Sequence, residues 1–156
     1  MPSPPNHNSN DQYDLDRFVQ AQAADYERVL AELRAGEKRS HWMWYIFPQI
    51  EGLGHSSMSR RYSIKSAAEA RAYLDHPILG PRLRECSAIV NGIVGRSALE
   101  IFGSPDDMKL LSCATLFARV AHEGVFDQLL QKYFEGRPDK ETLRLLISQT
   151  DTSGAV

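Results

Sequence analysis

Two tryptophans, a histidine and an arginine lie within one short stretch of the chain. Trp42 and Trp44 are the two tryptophans of the protein, and Arg39 and His41 lie just before them. Indole rings stack on flat ligands such as a base or a nicotinamide, and a histidine can hydrogen-bond to a ligand or transfer a proton. The spacing predicts one wall of a ligand pocket. The alternative is a packed central helix whose ring N–H and O–H groups find backbone acceptors.

A basic pair follows this aromatic segment. Arg60 and Arg61 come after Gly52 and Gly54. Glycines before a helix start can expose backbone N–H groups to a phosphate, and two guanidinium groups add charge to such a site. The pattern is no dinucleotide fingerprint and no P-loop, because the preceding strand, the third glycine and a GK[ST] sequence are missing. It indicates either an anion site or a surface turn with a solvated basic helix.

Charge is distributed unevenly along the 156 residues, whose formal net charge is −2. Residues 36–65 hold five basic and two acidic residues, whereas residues 1–35 hold six acidic and three basic ones. The net charge argues against general nucleic-acid binding. The basic middle of the chain nevertheless favours a small anionic ligand.

The other reactive residue types have ordinary structural explanations. Asp106 and Asp107 fit the acidic first turn of a helix, and Gln22 fits a satisfied position on a core face. The cysteines Cys86 and Cys113 lack CxxC spacing and fit helical core positions, which predicts free buried thiols and a cytoplasmic protein. The histidines show no metal-ligand spacing, so we predict no metal and no cofactor.

The hydrophobic period is helical almost everywhere. It predicts a first helix over residues 14–35, which Gly36 ends. Ser40 is the predicted N-cap of a short helix through the aromatic segment, which Pro48 ends, and a strand over 44–47 is the alternative. Further starts are predicted at serines followed by apolar helical periods. These are Ser56, Ser66, Ser97 and Ser104, the last with Pro105 as first helical residue.

These elements predict an all-α fold, a compact orthogonal bundle of about seven to nine short helices. Residues 13–149 form the single predicted domain, with disordered tails over 1–12 and 150–156. No apolar run approaches the roughly 20 residues that a membrane span needs, so no membrane association is predicted.

Four segments of the chain stand out when they are taken in order. They are FVQAQ at 18–22, RSHWMWYIFPQ at 39–49, HPILGPRLREC at 76–86 and IFGSPDDMK at 101–109. Together they resemble a family of small bacterial proteins of unknown function, the DUF1810 type, whose members are sometimes called calpastatin, a name that a short globular chain does not support. The resemblance covers residues 13–149 and implies an all-helical fold but no activity. A weaker similarity in element order links the chain to NADAR proteins, which act on N-glycosidic bonds of ADP-ribose-type substrates.

The sequence therefore predicts a small helical domain that binds an anionic, nucleotide-like molecule, and it leaves hydrolytic activity on that ligand open. The alternative is a protein–protein interaction module without catalytic activity, in which exposed aromatic rings form the docking patch. The oligomeric state is not predicted. The predicted ligand-binding residues are Arg39, His41, Trp42, Trp44, Arg60 and Arg61.

Overall fold

The computed structural model describes residues 11–154, with side chains described up to residue 149. These residues form nine helices, and they contain no strand beyond one isolated parallel bridge between Ile50 and Ile64. The predicted all-α class is confirmed. The helices are α1 Asp16–Arg34, α2 Met43–Ile46, α3 Ser57–Arg61, α4 Ala67–Asp75, α5 Leu79–Gly92, α6 Ala98–Phe102, α7 Asp106–Ala121, α8 Gly124–Phe134 and α9 Lys140–Gly154.

The longest helix, α1, places one apolar face on the core. Phe18, Val29 and Leu33 are fully buried along it, at the helical spacing that the sequence shows. At its N-terminus the Asp11 carboxylate accepts hydrogen bonds from the backbone N–H groups of Leu15 and Asp16, at 2.6 and 2.8 Å. Asp11 therefore supplies the acceptor that free helix N–H groups require, although it lies in the predicted tail 1–12.

Helix α7 lies at the centre of the bundle. Ten of its sixteen residues are buried, and it packs against α4, α6, α8 and α9. Phe117 of α7 contacts the ring of Tyr73 on α4 and the ring of Phe126 on α8, with centroids 5.6 and 5.7 Å apart. This central packing holds the shorter helices in fixed positions around α7.

Helix caps agree with the sequence at three of the five predicted starts. The side chains of Ser56, Ser66 and Ser97 each accept the expected hydrogen bond from a backbone N–H three residues later. The prediction for Ser40 is wrong, because α2 begins at Met43 and Ser40 instead bonds to the Glu32 carboxylate. Helix α7 begins at Asp106 with Pro105 at its N-cap, one residue later than predicted.

The aromatic segment forms a single helical turn and not a strand. The rings of Trp42, Tyr45 and Phe47 are buried and that of Trp44 is half-buried, so the segment is not enclosed on all sides as a central helix would be. At the other end of the chain, α9 continues to Gly154 and so enters the segment 150–156 that the sequence predicts as a tail. Residues 1–10 and 155–156 lie outside the described part of the protein.

Candidate functional site

Trp42 is a core residue. Its ring is fully buried, and its indole Nε1–H donates a 2.9 Å hydrogen bond to Oε1 of Glu32 on α1. The Lys38 ammonium lies 5.1 Å from the centre of the Trp42 ring. A ligand has no accessible surface on this ring, so Trp42 leaves the candidate site because burial and its hydrogen bond give it a structural role.

Glu32 organises the loop that leads into the aromatic segment. Its buried carboxylate accepts hydrogen bonds from the backbone N–H groups of Arg39 and Ser40, from the Ser40 hydroxyl and from Trp42, at 2.6 to 3.0 Å. Burial alone would raise the pKa of Glu32, but these hydrogen bonds outweigh burial and lower the pKa to about 2. Sequence reasoning missed Glu32, whose one signal is an acid at an apolar-face position beside Leu33.

Two of the motifs in the sequence meet through Asp106. Its carboxylate pairs with the Lys38 ammonium at 2.8 Å and with the Lys109 ammonium at 3.4 Å. Lys109 also lies 4.9 Å from the centre of the Trp44 ring. Asp106 thus joins the loop before α2 to the start of α7, and both lysines already have partners. We assign this cluster a structural role.

Arg39 and His41 point to solvent. The Arg39 side chain is 71% exposed and pairs with Glu37 at 3.2 Å, and His41 is exposed. Neither residue lines the groove or the recess described below. The structure therefore separates them from Arg60 and Arg61, with which the sequence had grouped them.

An open groove of about 590 Å³ lies between the start of α1 and the segment from α3 to α4. Arg60, Arg61 and Lys65 line it and are exposed. We call this hollow the cationic groove. Among the described residues, none of these three side chains forms an ion pair with an acid. Its charge is therefore available to an anion.

Beneath the cationic groove lies a buried ion pair between Arg17 and Glu69. Their side chains are 7% and 1% exposed, and they approach to 2.9 Å. Arg17 also donates to the carbonyl groups of Arg61 at 2.7 Å and Ser63 at 2.8 Å. These hydrogen bonds hold the backbone of residues 61 and 63 in place. The buried Arg17 therefore positions the segment that carries the exposed cations.

A small recess of about 20 Å³ adjoins the groove, with Arg60 lining both hollows. Trp44, Glu51, Ser59 and Ser63 also line it. We call this hollow the Trp44 recess. Of the six residues predicted to bind ligand, the structure thus brings together Trp44, Arg60 and Arg61.

The remaining candidates behave as the sequence predicts. Cys86 and Cys113 are free and buried, and burial raises the pKa of both thiols, that of Cys86 to about 12. Neither thiol is therefore set up as a nucleophile. Gln22 is satisfied in the core, where its amide donates to the Tyr45 carbonyl at 2.7 Å and to the Tyr73 hydroxyl at 3.1 Å.

Among residues 11–149, whose side chains the structure describes, no group of three or more histidine, cysteine or acidic residues could hold a metal ion. Within residues 11–154, no helix combines the length and the apolar character that crossing a membrane requires.

The all-helical fold and these motifs define a class of protein. Residues 12–146 match the model of a family described as "Protein of unknown function (DUF1810)", and the chain belongs to this family. Among solved structures, it is similar to the conserved hypothetical protein Rv1873 from Mycobacterium tuberculosis. The identity is 55% and the TM-score 0.87, over 88% of this chain and 99% of that one. No curated protein matches the chain. The similarity to NADAR proteins stays a prediction.

Proposed function

We propose that this protein binds a small anionic, nucleotide-like molecule, whose anionic group lies in the cationic groove. The observation that carries the proposal is the convergence of Arg60, Arg61 and Lys65 on one groove, where none of the three forms an ion pair with an acid among the described residues. A guanidinium group presents a planar pair of donors that matches two oxygens of a phosphate or carboxylate. Two adjacent arginines and a lysine therefore match the several oxygens of a phosphate better than they match an anion with a single point charge.

The local charge supports the proposal in spite of the acidic net charge of the chain. Four basic and two acidic residues line the groove, and one acid, Glu69, is already paired with Arg17. Asp14 is the other acid. The positive excess lies at an open surface, where it can raise the local concentration of an anion.

The aromatic part of the proposal rests on Trp44 alone. Its half-buried ring lines the recess that shares Arg60 with the groove. A ligand that fills the groove and reaches past Arg60 would meet this ring. Hydrolysis of the ligand stays a prediction, and no described side chain is assigned to it.

The alternative function, an interaction module with an aromatic docking patch, receives less support from the structure. The large hydrophobic side chains exposed within the described residues are aliphatic ones and a methionine, and none is aromatic. Trp42 is buried and Trp44 is half-buried. A flat aromatic surface is therefore missing from residues 11–149.

The proposal predicts that a double variant, Arg60→Gln with Arg61→Gln, loses ligand binding while it keeps its stability. Both side chains are exposed, so we expect the Tm of the double variant without ligand to stay close to that of the wild type. For the wild type, a ligand at 100 times its Kd should raise the Tm by roughly 5–10 °C. The test is a thermal-shift panel of nucleotides, sugar phosphates, ADP-ribose, inorganic phosphate and sulfate.

Arg119→Gln is the matched control, because Arg119 is an exposed arginine on α7 away from both hollows. This control should respond to ligands as the wild type does. A wild type that shows no shift with any member of the panel would refute anion binding. An equal shift in wild type and double variant would place the anion elsewhere on the protein.

A further inference from the structure

We infer that the Trp44 recess receives hydroxyl groups of a sugar, and hence that the ligand is a sugar phosphate. This inference rests on the proposed binding of an anion in the cationic groove. The inference identifies the chemical nature of the part of the ligand that lies beyond Arg60. The cationic groove does not contact this part.

The size of the recess excludes a base as its occupant. A water molecule needs roughly 10–15 Å³ of such space, so a recess of about 20 Å³ takes a group of about the size of water. A purine or pyrimidine ring does not fit into that volume. A hydroxyl group does, and a sugar can insert one while its ring stays at the mouth beside Trp44.

The lining of the recess has the polar groups that hydroxyls require. Glu51 provides a carboxylate acceptor, Arg60 provides donors, and the Ser59 hydroxyl can do both. The Ser63 hydroxyl donates to the Arg60 carbonyl at 3.0 Å and can still accept. Among the described residues, the hydrogen-bond donor next to the Glu51 carboxylate is the Ser63 hydroxyl, at 3.5 Å, and that hydroxyl lies closer to the Arg60 carbonyl. The lone pairs of the Glu51 carboxylate are therefore available to a ligand. Carboxylates bind sugar hydroxyls in this way in dinucleotide-binding proteins.

Trp44 completes the arrangement with an apolar wall. The Lys109 ammonium lies 4.9 Å from the centre of its ring, and the ring also lines the recess. An indole packs against the C–H surface of a sugar while polar groups nearby bind its hydroxyls. The recess therefore offers both kinds of contact that a sugar ring presents.

Two glycines leave the recess its shape. A side chain at position 54 would approach the Ser59 Oγ to 2.4 Å and its Cβ to 2.6 Å, so Ser59 can lie there only beside a glycine. Gly52 has a φ of +108°, which L side chains rarely adopt. Ser59 is further held by Ser56, whose Oγ lies 3.0 Å from its own. The hydroxyl of Ser59 is thus fixed in place before a ligand arrives.

The variant Glu51→Gln tests the inference, because the inference and simple electrostatics predict opposite changes in the affinity for a sugar phosphate. Loss of a negative charge beside the groove should strengthen the binding of any anion slightly. If the carboxylate binds sugar hydroxyls, the same substitution should lower the affinity for a sugar phosphate by about tenfold. Glu51 is exposed, so the variant should fold as the wild type does.

The probes are ribose 5-phosphate, glucose 6-phosphate, inorganic phosphate and n-butyl phosphate, measured by calorimetric titration. The inference predicts that at least one sugar phosphate binds about tenfold or more tightly than n-butyl phosphate, which has no hydroxyls. It also predicts that Glu51→Gln loses the preference for the sugar phosphate over n-butyl phosphate but still binds phosphates. Glu135→Gln, an exposed acid paired with exposed Arg137, is the control and should bind all probes as the wild type does.

The outcomes separate this inference from the proposed function. If all four phosphates bind equally, or if Glu51→Gln leaves the sugar preference intact, the sugar assignment is overturned while anion binding stands. If none of them binds, the anion site itself is refuted and the sugar assignment falls with it.

Discussion

We expect Glu32→Ala to lower the free energy of unfolding by about 3–5 kcal/mol, a large share of the stability of a domain of this size. The variant removes the acceptor from four donors at once, those of Arg39, Ser40 and Trp42. The Trp42 N–H is fully enclosed, so no water replaces the carboxylate there. Urea unfolding followed by circular dichroism measures the loss.

Glu37→Ala is the matched control for this result. Glu37 is an acid in the same loop, but its side chain is 47% exposed and it pairs only with exposed Arg39. We expect its loss to cost less than about 0.5 kcal/mol. If Glu32→Ala were as mild as Glu37→Ala, the carboxylate would not hold the loop, and the role assigned to it would be wrong.

The stability contributed by Glu32 should also depend on pH. Its pKa in the folded protein is about 2, below its ordinary value of 4.5, so the unfolded chain takes up the proton first as the pH falls. The contribution is complete above about pH 4.5 and is lost towards pH 2. The gap in stability between wild type and Glu32→Gln should therefore narrow across this window. A gap that stays constant from pH 6 to pH 2.5 would contradict the lowered pKa.

Most of the fold is readable from the sequence, because local patterns determine most of the helices. The period of apolar residues locates α1, and serine caps locate α3, α4 and α6. The start of α2 was missed for a non-local reason. Ser40 has the right type and spacing for an N-cap, but a carboxylate eight residues earlier competes for its hydroxyl and backbone N–H.

The site is less predictable, since neighbours in sequence separate in space. In the sequence, Lys38 and Arg39 form one basic pair. In the structure, the Lys38 side chain is only 7% exposed and pairs with Asp106, whereas the Arg39 side chain is 71% exposed. Arg60 and Arg61, by contrast, stay together, because α3 is a single turn that ends at an exposed edge of the groove. Partners on α1 and α7 determine which member of a basic pair faces the core. The spacing of residues along the sequence does not show these partners.

The two tryptophans show the same separation, and their variants should differ strongly. Trp42→Ala should cost about 4–5 kcal/mol, because it leaves a large cavity and removes a donor from Glu32. Trp44→Ala should cost only about 1–2 kcal/mol, because its ring is half-buried and borders the recess. Urea unfolding of both variants, with Trp42→Phe to keep most of the ring volume, measures the difference.

Binding supplies the complementary half of this test. Trp44→Ala should weaken any ligand that shifts the Tm of the wild type, since it removes a wall of the recess, whereas Trp42→Phe should leave the ligand response unchanged. Equal and severe destabilisation by Trp42→Ala and Trp44→Ala would mean that both rings are core residues. The Trp44 recess would then have no aromatic wall to offer, and recognition would rest on the cations of the groove alone.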